Sequence, residues 1–316
     1  MKGTDVALIS LIIPSYNEED NIQNTATVLT ATMLATDCDY ELVFVDDGSG
    51  DATFERIKEE SVKNPRIKGV SFSRNFGKEA AIFAGLRAAS GDACIVMDCD
   101  LQHPPEVIPS MLKLWENGAE VVEGIKSSRG KESFFHRISA GLFYGIMSKL
   151  IKIDMRATSD YKLLDRKVVD QMINLNERNT FFRALTFWLG FKAEKLEYRV
   201  EERKFGKTKW SMVSLFKYAI NNATSFSTLP LQVVTFLGVF SVLFGIIMGI
   251  QTLVKFFMGT SEAGFPTVIL LILIIGGFIM ISLGIIGHYI GRIYEEVKGR
   301  PRYIIGKCTG NLKGNF

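Results

Sequence analysis

The sequence predicts a doubly wound α/β domain on a mainly parallel sheet, followed by an interfacial helix and a hairpin of two membrane-spanning helices. Three observations carry this. Short, uninterrupted apolar runs alternate with helix-like stretches from Ala7 to Gly124, as expected of parallel strands covered on both faces. Several of these runs end in clusters of acidic or polar residues. Two long windows, between Lys217 and Lys255 and between Glu262 and Arg292, hold no charged residue, and each exceeds the ~20 apolar residues that cross a bilayer.

The 316 residues are 47% hydrophobic with a mean hydropathy of +0.16, and the apolar surplus lies in those two windows. The net charge of +3 says little by itself, and no nucleic-acid partner is expected. Met1–Ser10 carries Asp5 and a short apolar run in place of a basic region with a long hydrophobic one. No secretory signal is therefore expected, and the front portion should stay in the cytosol. Cys38, Cys94, Cys99 and Cys308 form no Cys-x-x-Cys pair and read as reduced, mostly buried thiols.

Ala7–Ile13 reads as the first strand and runs into Pro14, Ser15, Tyr16, Asn17, Glu18 and Glu19. A helix follows over Asp20–Leu34. Glu41–Val45 is the second strand and closes on Asp46, Asp47, Gly48 and Ser49, with a second helix from about Asp51. The third strand covers Ile67–Phe72, and Arg74-Asn75-Phe76-Gly77-Lys78 leads into a third helix ending near Ala89. Ala93–Met97 is the fourth strand and Ala119–Gly124 the fifth.

The fourth strand stops in Asp98-Cys99-Asp100. In an open parallel sheet, ligands bind beyond the carboxyl ends of the strands, so these acids fall in the binding crevice. Two hard oxygen donors side by side suit Mg²⁺ or Mn²⁺, which keep water ligands and bridge to substrate phosphates. Strand alternation turns Cys99 away from them. Pro104-Pro105-Glu106 opens the next helix. Tyr16, Asn17 and Glu18, then Asp46 and Asp47, then Asp98 and Asp100 all leave carboxyl ends, a shared side and chemistry not expected of independent solvent turns. The Gly-x-Gly-x-x-Gly and P-loop patterns are absent, which disfavours a dinucleotide or P-loop site. An acidic rim with a metal pair argues instead for a nucleoside diphosphate held through its cation. Asp46 or Asp47 would hydrogen-bond base or ribose, while Arg74 and Lys78 add positive charge near the phosphates. Taken singly, Asp-Asp-Gly-Ser is also an ordinary turn sequence.

The series Ile13-Pro14-Ser15-Tyr16-Asn17-Glu18-Glu19, Val45-Asp46-Asp47-Gly48-Ser49, Arg74-Asn75-Phe76-Gly77-Lys78 and Asp98-Cys99-Asp100-Leu101-Gln102-His103-Pro104-Pro105-Glu106 resembles the inverting family 2 glycosyltransferases of GT-A fold. Within them it is similar to the polyprenyl-phosphate glycosyltransferases, which include bactoprenol glucosyltransferases and dolichyl-phosphate mannose synthase. The resemblance covers nearly the whole chain. It implies a UDP- or GDP-sugar donor with Mg²⁺ or Mn²⁺, with Pro14 and Gln102 joining the donor site and Gln102 joining Asp98 and Asp100 at the metal. It matches Asp160, in Ala157–Arg166, to the proposed catalytic aspartate, with Asp100 acting through the metal. The phosphate acceptor has a second pKa near ~6 and is mostly ionised already, so Asp160 is read as positioning the acceptor or a cation more than removing a proton.

Gly124–Lys131 is a basic stretch, and Phe134–Ile151 places Phe135, Ile138, Leu142, Ile146 and Leu150 on one helical face. That helix faces a core or lies on the membrane. The resemblance, which implies a mobile acceptor loop here, favours the membrane and puts Arg129 and Arg137 near the lipid phosphate. Arg183, in the aromatic stretch Thr180–Leu189, faces the site or forms a surface ion pair. Arg199, Arg203, Lys204, Lys207 and Lys209, with Lys195 just upstream, precede the membrane segment, where each basic residue attracts anionic headgroups by about ~1 kcal/mol. Arg203 and Lys209 are the candidates for the acceptor phosphate.

The organisation expected is a cytoplasmic catalytic domain over 1–210, an amphipathic helix over 211–230, spans at about 231–254 and 266–290, and a basic cytoplasmic tail over 292–316. Cations before the first span and after the second put both ends in the cytoplasm. Gly245-x-x-x-Gly249 and Gly287-x-x-x-Gly291 permit close helix contact and leave self-association open. The function expected is transfer of one sugar from a nucleotide sugar to a membrane polyprenyl phosphate such as undecaprenyl phosphate. Glucose from UDP is favoured; N-acetylglucosamine, mannose and aminoarabinose remain. A processive synthase would carry Gln-x-x-Arg-Trp and more spans, and neither is present. A non-catalytic scaffold or lipid carrier is the alternative of a different class.

Overall fold

The structure, a computed structural model, describes residues 6–126, 159–175, 177, 181–198, 229–259 and 264–312. They form two compact units, a sheet domain that takes in the stretch from Pro301 and a helical unit. The basic stretch with Arg129, the helix expected over 134–151 with Arg137, the run containing Arg203 and Lys209, and the interfacial helix over 211–228 lie outside the described residues.

The sheet domain runs β1 (Leu8–Ser15), α1 (Ile22–Leu34), β2 (Asp39–Asp46), α2 (Thr53–Lys63), β3 (Ile67–Phe72), α3 (Lys78–Ala88), β4 (Ala93–Val96), a 3-10 turn (Pro105–Val107), α4 (Ile108–Glu116) and β5 (Val121–Lys126). It continues with β6 (Lys162–Asp165), α5 (Arg166–Asn174), α6 (Phe182–Trp188) and β7 (Ala193–Tyr198), and ends in β8 (Ile305–Thr309). The sheet order is β7-β5-β6-β4-β1-β2-β3-β8. β4, β1, β2 and β3 pair in parallel, as their apolar runs predict. Alternation along β1 sends Ile9, Leu11 and Ile13 into a core with α1 and α4, and Ile12 into a second core with α3, α5 and α6. Each of these side chains contributes roughly 1.5–3 kcal/mol by leaving water. Gly85 lets α3 lie hard against β1, since a Cβ there would stand 2.2 Å from Ile12 Cγ2.

The sheet departs from an all-parallel pattern at two strands, β6 and β8. β6 enters antiparallel between β4 and β5, so the fifth strand does not pair with the fourth. β7 adds in parallel outside β5. β8 pairs antiparallel with β3 at the other edge. The stretch read as a basic tail is thus folded: Tyr303 stacks on Phe72 at 4.9 Å, and Arg302 lies 4.6 Å over the Phe83 ring and donates to the Leu175 carbonyl.

The helical unit holds α7 (Leu229–Phe257) and α8 (Phe265–Val297). Pro230 lies in the first turn of α7 and does not break it, because a first-turn N–H has no helical acceptor to lose. Leu231–Phe257 and Leu271–Val297 are each 27 residues long with mean hydropathy 2.5 and 2.3 and are not buried within the protein. At 1.5 Å per residue each is long enough to cross a ~30 Å hydrocarbon core.

Candidate active site

The carboxyl ends of β1, β2 and β4 open on a cavity of about 330 Å³. Pro14, Tyr16 and Glu18 line it from the β1 loop, Asp47 from the end of β2, Lys78 from α3, and Asp98 and Asp100 from the β4 loop. The loops hold one another. Asn17, at φ 54°, donates its N–H to Ser49 Oγ at 2.9 Å and accepts from the Gly50 N–H at 3.0 Å. Asp47 accepts from the N–H groups of Phe76 and Gly77 at 2.7 and 2.9 Å, fixing the turn that launches α3. Burial raises the Asp47 pKa. Gly48 is required there: its φ is +67°, and a Cβ would meet the Arg74 backbone at 2.3 Å.

The antiparallel entry of β6 does the most to build the site. Val96 pairs with Lys162, so Asp98, two residues after Val96, stands across from Asp160, two residues before Lys162. Lys78, the first residue of α3, spans them: its Nζ is 2.5 Å from Asp98 Oδ1 and 3.0 Å from Asp160 Oδ2. Arg183 on α6 grips Asp160 from behind, Nε to Oδ1 at 2.6 Å and a terminal nitrogen to Oδ2 at 2.8 Å, the two-pronged geometry that guanidinium makes with carboxylate. Burial raises the Asp160 pKa, but Arg183 and Lys78 outweigh it and hold the carboxyl well below the usual range. Desolvation opposes the Lys78 charge, and Asp98 and Asp160 more than restore it, so its pKa is raised. A cation in the first turn opposes the helix dipole; these two carboxylates offset that.

A second clamp ties the β4 loop to the Asp160 strand. His103 Nδ1 accepts from the Asp98 N–H at 3.2 Å, its ring stacks on Tyr161 at 4.9 Å, and the Tyr161 hydroxyl donates to the Pro104 carbonyl at 3.1 Å. Ser159 donates its N–H to Glu123 at 2.9 Å, and Glu123 pairs with buried Lys162 at 3.0 Å. Glu79 accepts from the Phe182 N–H at 2.8 Å, anchoring the helix that carries Arg183. Burial pushes Glu79 up to about 7.

The structure therefore joins Pro14, Tyr16, Glu18, Asp47, Lys78, Asp98, Asp100 and Asp160 in one place, with Arg183 behind them. Asp46 does not face the cavity. It is 2% exposed, with one oxygen on the Ser49 N–H and the other on Ser71 Oγ, so it shapes the turn. Asn17 likewise serves the loops. Gln102 donates its N–H to Asp100 Oδ1 at 3.1 Å and lies beside the cavity. Cys99 is buried and turned toward Thr25, as alternation predicts. His103 and Tyr161 fall inside stretches that carry the resemblance but drew no role from it, nothing in the sequence pointed to Glu79, and the spacing of Arg183 from Asp160 carries no periodicity that would have decided its role.

Asp98 and Asp100 offer the oxygen donors a hard divalent cation takes, and the Lys78 ammonium already stands at Asp98 as a positive charge in place. Glu18 adds a third negative group; burial raises its pKa, and Asp100 and Asp98 raise it further. Among the described residues no group of three or more His, Cys, Asp or Glu side chains could hold a metal by itself. A cation here would complete its shell with water and substrate phosphate oxygens, the habit of Mg²⁺ and Mn²⁺. The residues fit such an ion.

Residues 10–173 match the family model described as glycosyl transferase family 2. The chain is 41% identical over 303 residues to an uncharacterized glycosyltransferase, YkcC, of Bacillus subtilis (strain 168), covering 95% of this chain and 94% of that one. It is 41% identical over 305 residues to the SfII prophage-derived bactoprenol glucosyl transferase of Shigella flexneri, covering 95% and 97%. Among solved structures, mannosyl-3-phosphoglycerate synthase from Rubrobacter xylanophilus aligns with a TM-score of 0.49 at 13% identity, over 69% of this chain and 72% of that one.

Proposed function

The chain belongs to glycosyl transferase family 2, with the mostly parallel α/β sheet of the GT-A fold, and on that premise we propose that it moves one sugar, glucose first, from a UDP-sugar to a membrane polyprenyl phosphate with inversion at the anomeric carbon. The observation that carries this is the convergence of Asp98, Asp100 and Lys78 on one cavity at the strand ends, with the Arg183-held Asp160 tied to it through Lys78. Relatives named bactoprenol glucosyl transferases, similar over nearly the full chain, and two helices of membrane-crossing length support a lipid acceptor.

Tyr16, Glu18 and Asp47 bind the nucleoside end of the donor in this reading, and Lys78 faces its phosphates. A bound Mg²⁺ or Mn²⁺ would neutralise the leaving diphosphate; Asp98 and Asp100 would hold it, with Gln102 beside them. Asp160 keeps both oxygens on Arg183 and Lys78 and stays ionised, which makes it a weak base. Its task is to hold the Arg183 and Lys78 cations where they position the acceptor phosphate, already an anion at neutral pH, opposite the leaving group. Arg129, Arg137, Arg203 and Lys209 supply the positive surface for that phosphate. Because β8 belongs to the same sheet as β1, chain that leaves through α7 and α8 comes back to the catalytic domain, which supports a hairpin with both ends on the cytoplasmic face.

The test uses the purified full chain, undecaprenyl phosphate, Mn²⁺ and a panel of labelled nucleotide sugars, following label into the organic phase. Label from UDP-glucose is expected. Label from another donor renames the sugar, and no label from any donor, with UDP still bound, overturns the lipid acceptor.

A further inference from the structure

Lys78 is shared unequally between its two carboxylates. Asp160 is already neutralised, since Arg183 donates to both of its oxygens. Asp98 has no such second partner: among the described residues Lys78 is the one cation within ion-pair distance of it, at 2.5 Å. The Lys78 side chain is 42% exposed and Asp98 34%, so the pair faces the cavity and can open without disturbing the core. An ammonium that lets go of Asp98 keeps its anchor on Asp160.

The geometry points to Lys78 as a tethered counter-ion that fills the divalent cation's place on Asp98 in the donor-free protein and yields it when a nucleoside diphosphate arrives with the cation. This rests on the assignment of Asp98 and Asp100 as the cation's holders. With Lys78 in place, the carboxylates of Glu18, Asp98 and Asp100 are partly compensated, so a dication alone must displace an ammonium to enter. The diphosphate changes that balance in two ways. It brings oxygens that complete the cation's shell, and its negative charge receives the displaced ammonium. Cation and nucleotide therefore promote each other's binding, and by linkage each does so by the same factor. The device keeps Asp98 and Asp160 from repelling each other while the site waits for donor.

Mn²⁺ binding to the purified full chain, followed by electron paramagnetic resonance without any acceptor lipid, tests this apart from turnover. Without nucleotide, Lys78→Met is expected to bind Mn²⁺ on the order of tenfold more tightly than wild type, while Lys78→Arg stays near wild type. Adding UDP should then tighten Mn²⁺ more in wild type than in Lys78→Met. Lys78→Gln repeats the measurement should the methionine variant fail to fold. Unchanged or weaker Mn²⁺ binding in both neutral variants overturns the proposal while leaving the cation site standing, provided Asp98→Asn abolishes binding in the presence of UDP. Wild type that takes up no Mn²⁺ with UDP overturns the cation assignment and this inference together.

Discussion

Two lysine–carboxylate pairs lie at opposite ends of the same sheet with the same 2.5 Å separation, Lys68–Glu41 at the amino ends and Lys78–Asp98 at the carboxyl ends. Their surroundings differ. Lys68 and Glu41 are 9% and 5% exposed, and Glu41 also accepts from Ser10 Oγ, the Ser90 N–H and Ser90 Oγ. With Lys68, Glu41 has four donors on its two oxygens. Lys78–Asp98 is open to the cavity, and among the described residues Lys78 is the one cation paired with Asp98. A saturated, closed pair is architecture; an unsaturated, open one is a site awaiting another charge.

The largest effect should come from the open pair. Asp98→Asn keeps the shape and removes the charge, and we expect transfer to fall by roughly 10²–10³-fold in the labelled-lipid assay, with the melting temperature little changed. A matching loss of melting temperature would make Asp98 a second Glu41. The closed pair should respond the other way. Lys68→Met leaves Glu41 buried without its cation, at a cost of about 3–5 kcal/mol, or roughly 10 °C in Tm for a domain of this size. The rate per folded molecule should stay as it was.

Asp160 sharpens the contrast, because it is nearly as buried as Glu41 yet belongs to the site. If it positions the acceptor, Asp160→Asn, which can still take one prong of Arg183, should retain roughly tenfold more activity than Asp160→Ala. Equal inactivation of both variants would count against the positioning role.

The carboxyl-end chemistry was legible in the sequence because parallel strands buried on both faces must be apolar runs, so acids at their ends stand out. Asp98 and Asp100 were assigned that way. The choice between Asp46 and Asp47 was not legible: neighbours at a strand end point to opposite sides, and only the fold shows Asp46 meeting Ser71 and Asp47 facing the cavity. β6 was missed because it is four residues long and opens on Lys162, whose burial is possible only through Glu123 and Thr186. β7 (AEKLEY) is exposed over most of its length, and β8 follows a membrane-length helix. Yet β6 is what sets Asp160 opposite Asp98, so the resemblance singled out Asp160 while its place across from Asp98 stayed hidden.

The smallest predicted effect compares two glutamates that both leave water. Burial raises the Glu41 pKa, but Lys68, Ser10 and Ser90 reverse this and leave it lowered. Burial raises Glu79 as well, and with one backbone donor from Phe182 and the Asp160 charge nearby it stays up at about 7. Their contributions to stability therefore run in opposite directions with pH. Glu41 binds its proton less tightly folded than unfolded, so its contribution is present above the ordinary glutamate value of 4.5 and is lost as pH falls below it. Glu79 binds its proton more tightly folded, so its contribution is present below 4.5 and is lost as pH rises toward about 7. Glutamine cannot ionise at either place. Scanning calorimetry should show Glu79→Gln gaining on wild type between about pH 5 and about pH 7, and Glu41→Gln losing ground as pH rises toward 4.5 and holding level above it. A Glu79→Gln difference that stays flat with pH would mean that this carboxylate has the donors of the closed end after all, and that the contrast between the two ends stops at Asp98.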